Sequence, residues 1–260
     1  MKVLWIYAHP EARSLAGSLK DTGLRQLDEL GHDVRVSDLY AMGWKATVDA
    51  DDFTGHDPDE RLMVAHASKH AYHDDSLSED IRVELEKLDW ADAVVFQFPL
   101  WWYGMPAILK GWVDRVFVKG FAYGVPDPDH PGRTLRYGAG PLTGKRALVV
   151  LTTGSRESAF GPRGINGQLD QALFPLLHGT LWYVGMDVLR PLAIYGADRL
   201  DDEQYADATS ALCERLTALP KEEPIAYRTQ NGGEYDDDLV LRPEHAAGWS
   251  GLGVHVATPR

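Results

Sequence analysis

After Met1 and Lys2 the chain runs through six consecutive apolar positions, Val3 to Ala8 (VLWIYA), rich in β-branched and aromatic side chains. Such a run predicts a short strand covered on both faces. The loop HPEAR follows. Ser14 then stands as an N-cap before Leu15, Leu19, Leu24, Leu27 and Leu30, which recur at roughly helical spacing up to Gly31 in the C-cap position. His32 to Leu39 alternates, with Val34 and Val36 on one face, as a strand exposed on one side or near an edge does. The same coupling of apolar run to amphipathic stretch recurs. A helix from Ser78 and Asp80 to Leu88 precedes the most strand-like segment, AVVFQFP at Ala93 to Pro99, and Met105 to Val118 is amphipathic with Pro106 in its first turn. Arg146 to Gly154 is a further buried strand and Ile165 to Val184 a helix that Pro175 must kink or split. Val188 to Ile194 is a fifth strand, and Asp201 to Leu219 a last helix.

Five β units alternating with helices predict an α/β fold, a doubly wound parallel five-stranded sheet with helices on both faces, over residues 1–220. Residues 221–260 lose periodicity and form an extended C-terminal tail, expected to pack on the domain or on a partner subunit. Tyr123 to Gly144 is a long Gly/Pro-rich loop. Asp49 to Glu60 holds six acids and no Lys or Arg and reads as a solvated loop.

Charge narrows the class. With 39 acidic against 26 basic residues and a formal charge of −13, the average surface repels nucleic acid and anionic bilayers. Apolar runs stop well short of the ~20 residues that spanning hydrocarbon requires, so no membrane insertion is expected. The N-terminus lacks a basic stretch followed by a signal-type apolar run, and the one cysteine, Cys213, sits on an apolar helix stripe as a core thiol. A cytoplasmic protein is expected. His66, His70 and His73 share a helical face but have no evident fourth ligand, so they read as a solvated face rather than a metal site.

In an open parallel sheet, ligands bind beyond the carboxyl ends of the strands, where strand order reverses. Three loops follow such ends. His9 to Ser14 leads into a helix N-terminus, whose free N–H groups and partial positive charge suit a phosphate, with the Ser14 hydroxyl and the His9 ring as further donors. It has neither GxGxxG nor a Walker glycine-lysine pattern, which disfavours a Rossmann-style dinucleotide or a P-loop nucleotide. Pro99-Leu100-Trp101-Trp102-Tyr103-Gly104 offers three consecutive aromatics to a flat apolar ligand. Thr152-Thr153-Gly154-Ser155 offers hydroxyls and an unhindered backbone N–H to the polar edge of a heterocycle.

FQFPLWWYGMPAILKGWVDRVF at Phe96 to Phe117, SDLYAM at Ser37 to Met42, TTG at Thr152 to Gly154 and GINGQL at Gly164 to Leu169 resemble the NAD(P)H:quinone oxidoreductases of the DT-diaphorase type, flavoproteins of flavodoxin-like fold. The likeness covers residues 1–220 and, more loosely, the tail. It implies flavin phosphates at His9, Ser14, Leu15 and Ala16, the ring on Pro99, Leu100, Trp101, Trp102 and Tyr103, and its edge bonded by Thr152, Thr153 and Gly154. Relatives of this length usually carry FAD, shorter ones FMN, so FAD is expected with FMN as the fallback. They form homodimers with the site at the subunit interface, which would send Tyr123 into the partner's pocket. Hydride passes from NAD(P)H to the flavin and then to a quinone-like acceptor in ping-pong order, with Gly154, Trp102 and Tyr103 at the reacting ring.

One departure is visible. The Tyr and His that the best-studied relatives hold beyond the TTG loop are Phe160 and Asn166 here, and neither titrates near neutrality. Flavin reduction is expected to survive while acceptor preference or rate shifts. Two other roles fit similar folds: an ancillary subunit of a potassium-efflux transporter, and a tailoring reductase of an aromatic, azo or nitro metabolite.

Overall fold

A computed structural model describes residues 1–257. Its strands are β1 (Lys2–Tyr7), β2 (Asp33–Asp38), β3 (Ala93–Pro99), β4 (Arg146–Thr153), β5 (Asp187–Val188) and β6 (Leu192–Tyr195). All pair in parallel in the order β2-β1-β3-β4-β5, with β6 continuing beside β4. This is the strand order of a flavodoxin-like doubly wound sheet, and it reverses between β1 and β3. The expected fifth strand is therefore two pieces. Pro191 has no N–H for the ladder, and the register moves by one residue, from Ala147 opposite Val188 to Val150 opposite Leu192.

The helices are α1 (Leu15–Glu29), α2 (Val64–His73), α3 (Glu79–Trp90), α4 (Ala107–Val116), α5 (Leu169–Ala172), α6 (Phe174–Leu176) and α7 (Asp202–Ala218). Alternation along β1 divides the core between them. Val3, Trp5 and Tyr7 pack with Leu19 of α1 and Leu212 and Leu216 of α7, whereas Leu4 and Ile6 pack with Ile81 and Leu88 of α3 and Trp112 of α4. Gly23 permits the close approach of α1, since a Cβ there would lie 2.3 Å from the Trp5 ring. A buried amide then fixes the start of that helix. Gln97 of β3 accepts from Trp5 Nε1 at 2.9 Å and donates from Nε2 to the Ala16 carbonyl at 2.7 Å, so no polar atom of the trio is stranded.

Several expectations are corrected. Ile165 to Val184 is split, as Pro175 requires, but starts later than expected: Ile165 stands exposed in a turn, and the short pieces α5 and α6 part at Leu173, with Pro175 in the first turn of α6. Leu177–Trp182 winds as a π-helix. The acidic segment 49–60 is solvated only in part. Asp52 and Phe53 are buried because Arg115 of α4, itself buried, donates to Asp52 Oδ1 at 2.8 and 3.1 Å and to Asp80 at 2.6 Å. Cys213 is half-buried at the margin of the stripe formed by Ala208, Leu212 and Leu216. After α7 the chain folds back on its own domain. Ile225 N donates to Val188 O at 2.8 Å, and Arg228 N and Ala257 N donate to His255 O and Ala226 O at 2.9 and 2.7 Å. Among the described residues no helix is long and apolar enough to cross a membrane.

Candidate active site

The three strand-end loops meet at one rim of the sheet. Ala8 N donates to Gln97 O at 3.0 Å, Pro99 lies opposite Thr152, and Leu100 N donates to Thr152 O at 2.8 Å, so the exits of β1, β3 and β4 are neighbours at the reversal point.

In the first loop Ser14 caps α1: its Oγ accepts from Gly17 N at 3.1 Å and donates to Glu11 O at 2.7 Å. The next two N–H groups, of Leu15 and Ala16, have no partner among the described residues, as the first turn of a helix requires. Their side chains turn inward, Ala16 buried and Leu15 packed against the same core, so these two positions offer backbone alone. His9 is held by the loop backbone, its Nδ1 within 3.0 Å of Glu11 O and 3.1 Å of Glu11 N, which leaves Nε2 as the free edge. Below them Tyr7 Oη is buried beside Ser14 without a hydrogen-bond partner, and burial raises its pKa. Gly17 makes the tight loop possible. A Cβ there would stand 1.9 Å from the Ala12 carbonyl oxygen.

The second loop is a two-residue turn. Trp101 N donates to Gly104 O at 3.2 Å and Gly104 N to Trp101 O at 3.0 Å, while Trp102 and Tyr103 between them hold φ of +50° and +59°. Both central residues are left-handed, the pattern of a type I′ turn that Asn-Gly fills most cheaply. Two aromatic residues there store roughly 1–3 kcal/mol each. The strain presents them to solvent, Trp102 97% exposed and Tyr103 51%. Leu100 packs against the core beneath.

The third loop carries a latch. Tyr103 Oη donates to Asn166 Oδ1 at 2.8 Å, and Asn166 Nδ2 donates to Ser155 Oγ at 2.9 Å. Phe160 is buried edge-on to Tyr103, ring centroids 6.2 Å apart, with Tyr195 behind it at 6.0 Å. Asn166 is placed by its own backbone N–H, which donates to Ala159 O at 2.9 Å, and by Gly164, where a Cβ would lie 2.1 Å from that same carbonyl oxygen. Thr153 Oγ1 accepts from Ser155 N at 3.3 Å, Thr152 is buried, and Gly154 is open on the rim. Tyr123 is elsewhere. It is half-buried beside Ser68 of α2 and near Tyr183, and burial raises its pKa.

Sequence reasoning missed four contributors. The sequence marks Ser155 only as part of the loop, and Tyr195 closes β6, a short strand whose periodicity is blurred. Asp198, whose carboxylate would lie 3.4 Å from a Cβ at Gly154, is in a turn without pattern. Tyr7 was read as core, and only its unpaired hydroxyl sets it apart. No cluster of three or more metal-ligating side chains occurs among the described residues, and His66, His70 and His73 are exposed on α2.

Residues 1–216 match the protein family described by a flavodoxin-like fold, and the chain belongs to that family. It is 45% identical over 260 residues to the ribosyldihydronicotinamide dehydrogenase-like protein traD of Penicillium crustosum, a match covering 99% of this chain and 96% of that one. Human ribosyldihydronicotinamide dehydrogenase [quinone] is 40% identical over 225 residues, covering 86% of this chain and 94% of the relative. Among solved structures, a Klebsiella pneumoniae protein assigned as a quinone reductase superposes with a TM-score of 0.95 at 52% identity. That match spans 99% of this chain and 100% of the other.

Proposed function

We propose that the chain is a flavin-dependent NAD(P)H oxidoreductase that delivers two electrons to a quinone or similar aromatic acceptor. Quinone reduction is what the human relative and the Klebsiella pneumoniae protein are named for, and the Penicillium crustosum relative is named as dehydrogenase-like. The observation that carries the flavin reading is the convergence of three unlike loops on one rim: free helix N–H groups, an exposed aromatic turn and a Thr-Thr-Gly edge.

The residues present fit the group. Leu15 and Ala16 N–H, His9 Nε2 and the orphaned Tyr7 hydroxyl, joined by the Ser14 hydroxyl once it turns from Glu11 O, suit the phosphates of FAD, the cofactor this reading prefers over FMN. Trp101, Trp102 and Tyr103, resting on the buried Pro99 and half-buried Leu100, supply an apolar surface for a flat ring, and Thr153 and Gly154, above the buried Thr152, donors for its polar edge. When bound, the flavin supplies hydride acceptance and release between nicotinamide and acceptor. The chain's own contribution is position and dryness. Phe160 backs Tyr103, and Asn166 holds the Tyr103 hydroxyl at a fixed point. Neither Phe160 nor Asn166 can carry a proton, so the protein offers hydrogen bonds to the reacting groups rather than a titrating relay. In a homodimer, Tyr123 would complete the pocket of the other subunit.

Initial rates with NADPH and a simple naphthoquinone test the reading. Parallel double-reciprocal lines and rapid bleaching of the bound flavin on mixing with NADPH alone are expected. A bound flavin still oxidised after seconds with both NADH and NADPH would overturn it.

A further inference from the structure

His66 and His70 lie one turn apart on α2, both exposed, and their rings meet. Residues four apart on a helix share a face with Cβ atoms about 5–6 Å apart, within reach of two imidazoles. Here the two Nε2 atoms are 3.1 Å apart. The ring centroids are 4.2 Å apart with 47° between planes, little farther than the nitrogens, so the rings lie side by side rather than end to end. Two imidazole nitrogens bound to one ion at about 2.0–2.1 Å stand roughly 2.9–3.4 Å from each other, between a right angle and the tetrahedral angle at the metal. The observed separation falls inside that interval.

Without an ion, a contact between two Nε2 atoms needs one ring to carry its proton there and the other to be bare. A metal ion replaces that single proton and takes both lone pairs. No third His, Cys, Asp or Glu joins the pair among the described residues, which excludes a closed four-ligand centre. An open site needs none, because both rings face solvent and water fills the other positions. A chain of net charge −13 favours the approach of a dication, and imidazole selects among dications: copper, nickel and zinc suit it, whereas magnesium and calcium take oxygen.

We propose that His66 and His70 form a bidentate, exchangeable site for a first-row transition-metal dication of the copper, nickel and zinc class. An ion held there joins adjacent turns of a ten-residue helix that supports the loop around Tyr123, through Ser68 beside Tyr123 and Tyr72 against Phe121 at 5.7 Å between ring centroids. The proposal does not rest on the flavin reading, since neither histidine belongs to the strand-end loops.

The probe is Zn²⁺, titrated calorimetrically into the full-length, untagged protein after treatment with a chelator. One equivalent is expected to bind. His66→Asn and His70→Asn should each weaken it by about tenfold or more, since loss even of a group that merely orients a ligand costs about that much. Both side chains are exposed, so neither variant disturbs the core. His73→Asn, on the same face, should leave the affinity unchanged. With one equivalent of Cu²⁺ in place of Zn²⁺, electron paramagnetic resonance should show two equatorial imidazole nitrogens. The Met1 amine lies 3.1 Å from His32 Nδ1 and is a competing chelate, so His32→Asn is the control. No saturable binding, full affinity in both His66→Asn and His70→Asn, a loss in His73→Asn equal to theirs, a loss confined to His32→Asn, or a single nitrogen on copper would each overturn the proposal.

Discussion

Tyr103 and Asn166, 63 positions apart in sequence, are joined by a 2.8 Å hydrogen bond from the tyrosine hydroxyl to the asparagine carbonyl oxygen. The bond ties the strained aromatic turn after β3 to the segment after β4. Removing either partner frees the turn. Tyr103→Phe and Asn166→Ala are each expected to lower kcat/KM for quinone about tenfold, and the double variant to lose little more than either alone, because both act through one contact. Steady-state kinetics on the four proteins measures this. Fully multiplicative losses would mean that the two side chains act separately.

Gly17 and Gly164 are both required by close approach to a carbonyl rather than by backbone angle, at 1.9 and 2.1 Å from an added Cβ. Gly17→Ala should displace the phosphate loop, and Gly164→Ala the Asn166 loop, at a cost of about 1–3 kcal/mol each. The two should separate functionally. Gly17→Ala is expected to weaken flavin binding, and Gly164→Ala to spare it while lowering turnover. Urea unfolding together with flavin titration distinguishes them.

Arg115 holds Asp52, Asp80 and the Lys45 carbonyl from a buried position. Arg115→Met leaves the Asp52 carboxylate buried with only Lys45 to compensate it. A loss of about 3–5 kcal/mol in unfolding free energy is expected, with release of the acidic segment. Chemical denaturation checks the magnitude, and protease cleavage within 49–60 checks the location.

His178 makes stability pH-dependent in a defined direction. Its pKa falls from 6.5 to about 4 on folding through burial, and that of the neighbouring His255 is lowered for the same cause. Between those values the unfolded chain binds a proton that the folded chain refuses, so this contribution is complete above about pH 6.5 and is lost as pH falls toward 4. His178→Gln is expected to be less sensitive to acid than the parent over that interval. Equal slopes of unfolding free energy against pH in the two proteins would contradict this.

The order of strands and helices was legible because each buried strand is a predominantly apolar run bounded by a breaker, as at Val3–Ala8 and Ala93–Pro99. The three strand-end loops followed from the alternation, whereas the point at which strand order reverses came from the structure. Two boundaries were not legible, for physical reasons. Pro191 interrupts an edge strand by lacking one donor, which pattern alone reads as continuity, and beyond the split that Pro175 announces, six residues of π-helix are too few to show a period of their own. The acidic segment misled because composition counts charges but not their partners, and Arg115 lies 63 positions from Asp52. At the site, Trp102 and Tyr103 could be picked out as aromatics, but not their left-handed backbone, since the sequence holds no glycine or asparagine between Trp101 and Gly104 to announce it.

Purification without added cofactor, followed by chromatography of whatever acid releases from the protein, addresses the rim most directly. One equivalent of FAD per chain, retained by the parent and depleted in Gly17→Ala, is the expected result. A colourless protein that takes up neither FAD nor FMN on titration would contradict the account at its centre.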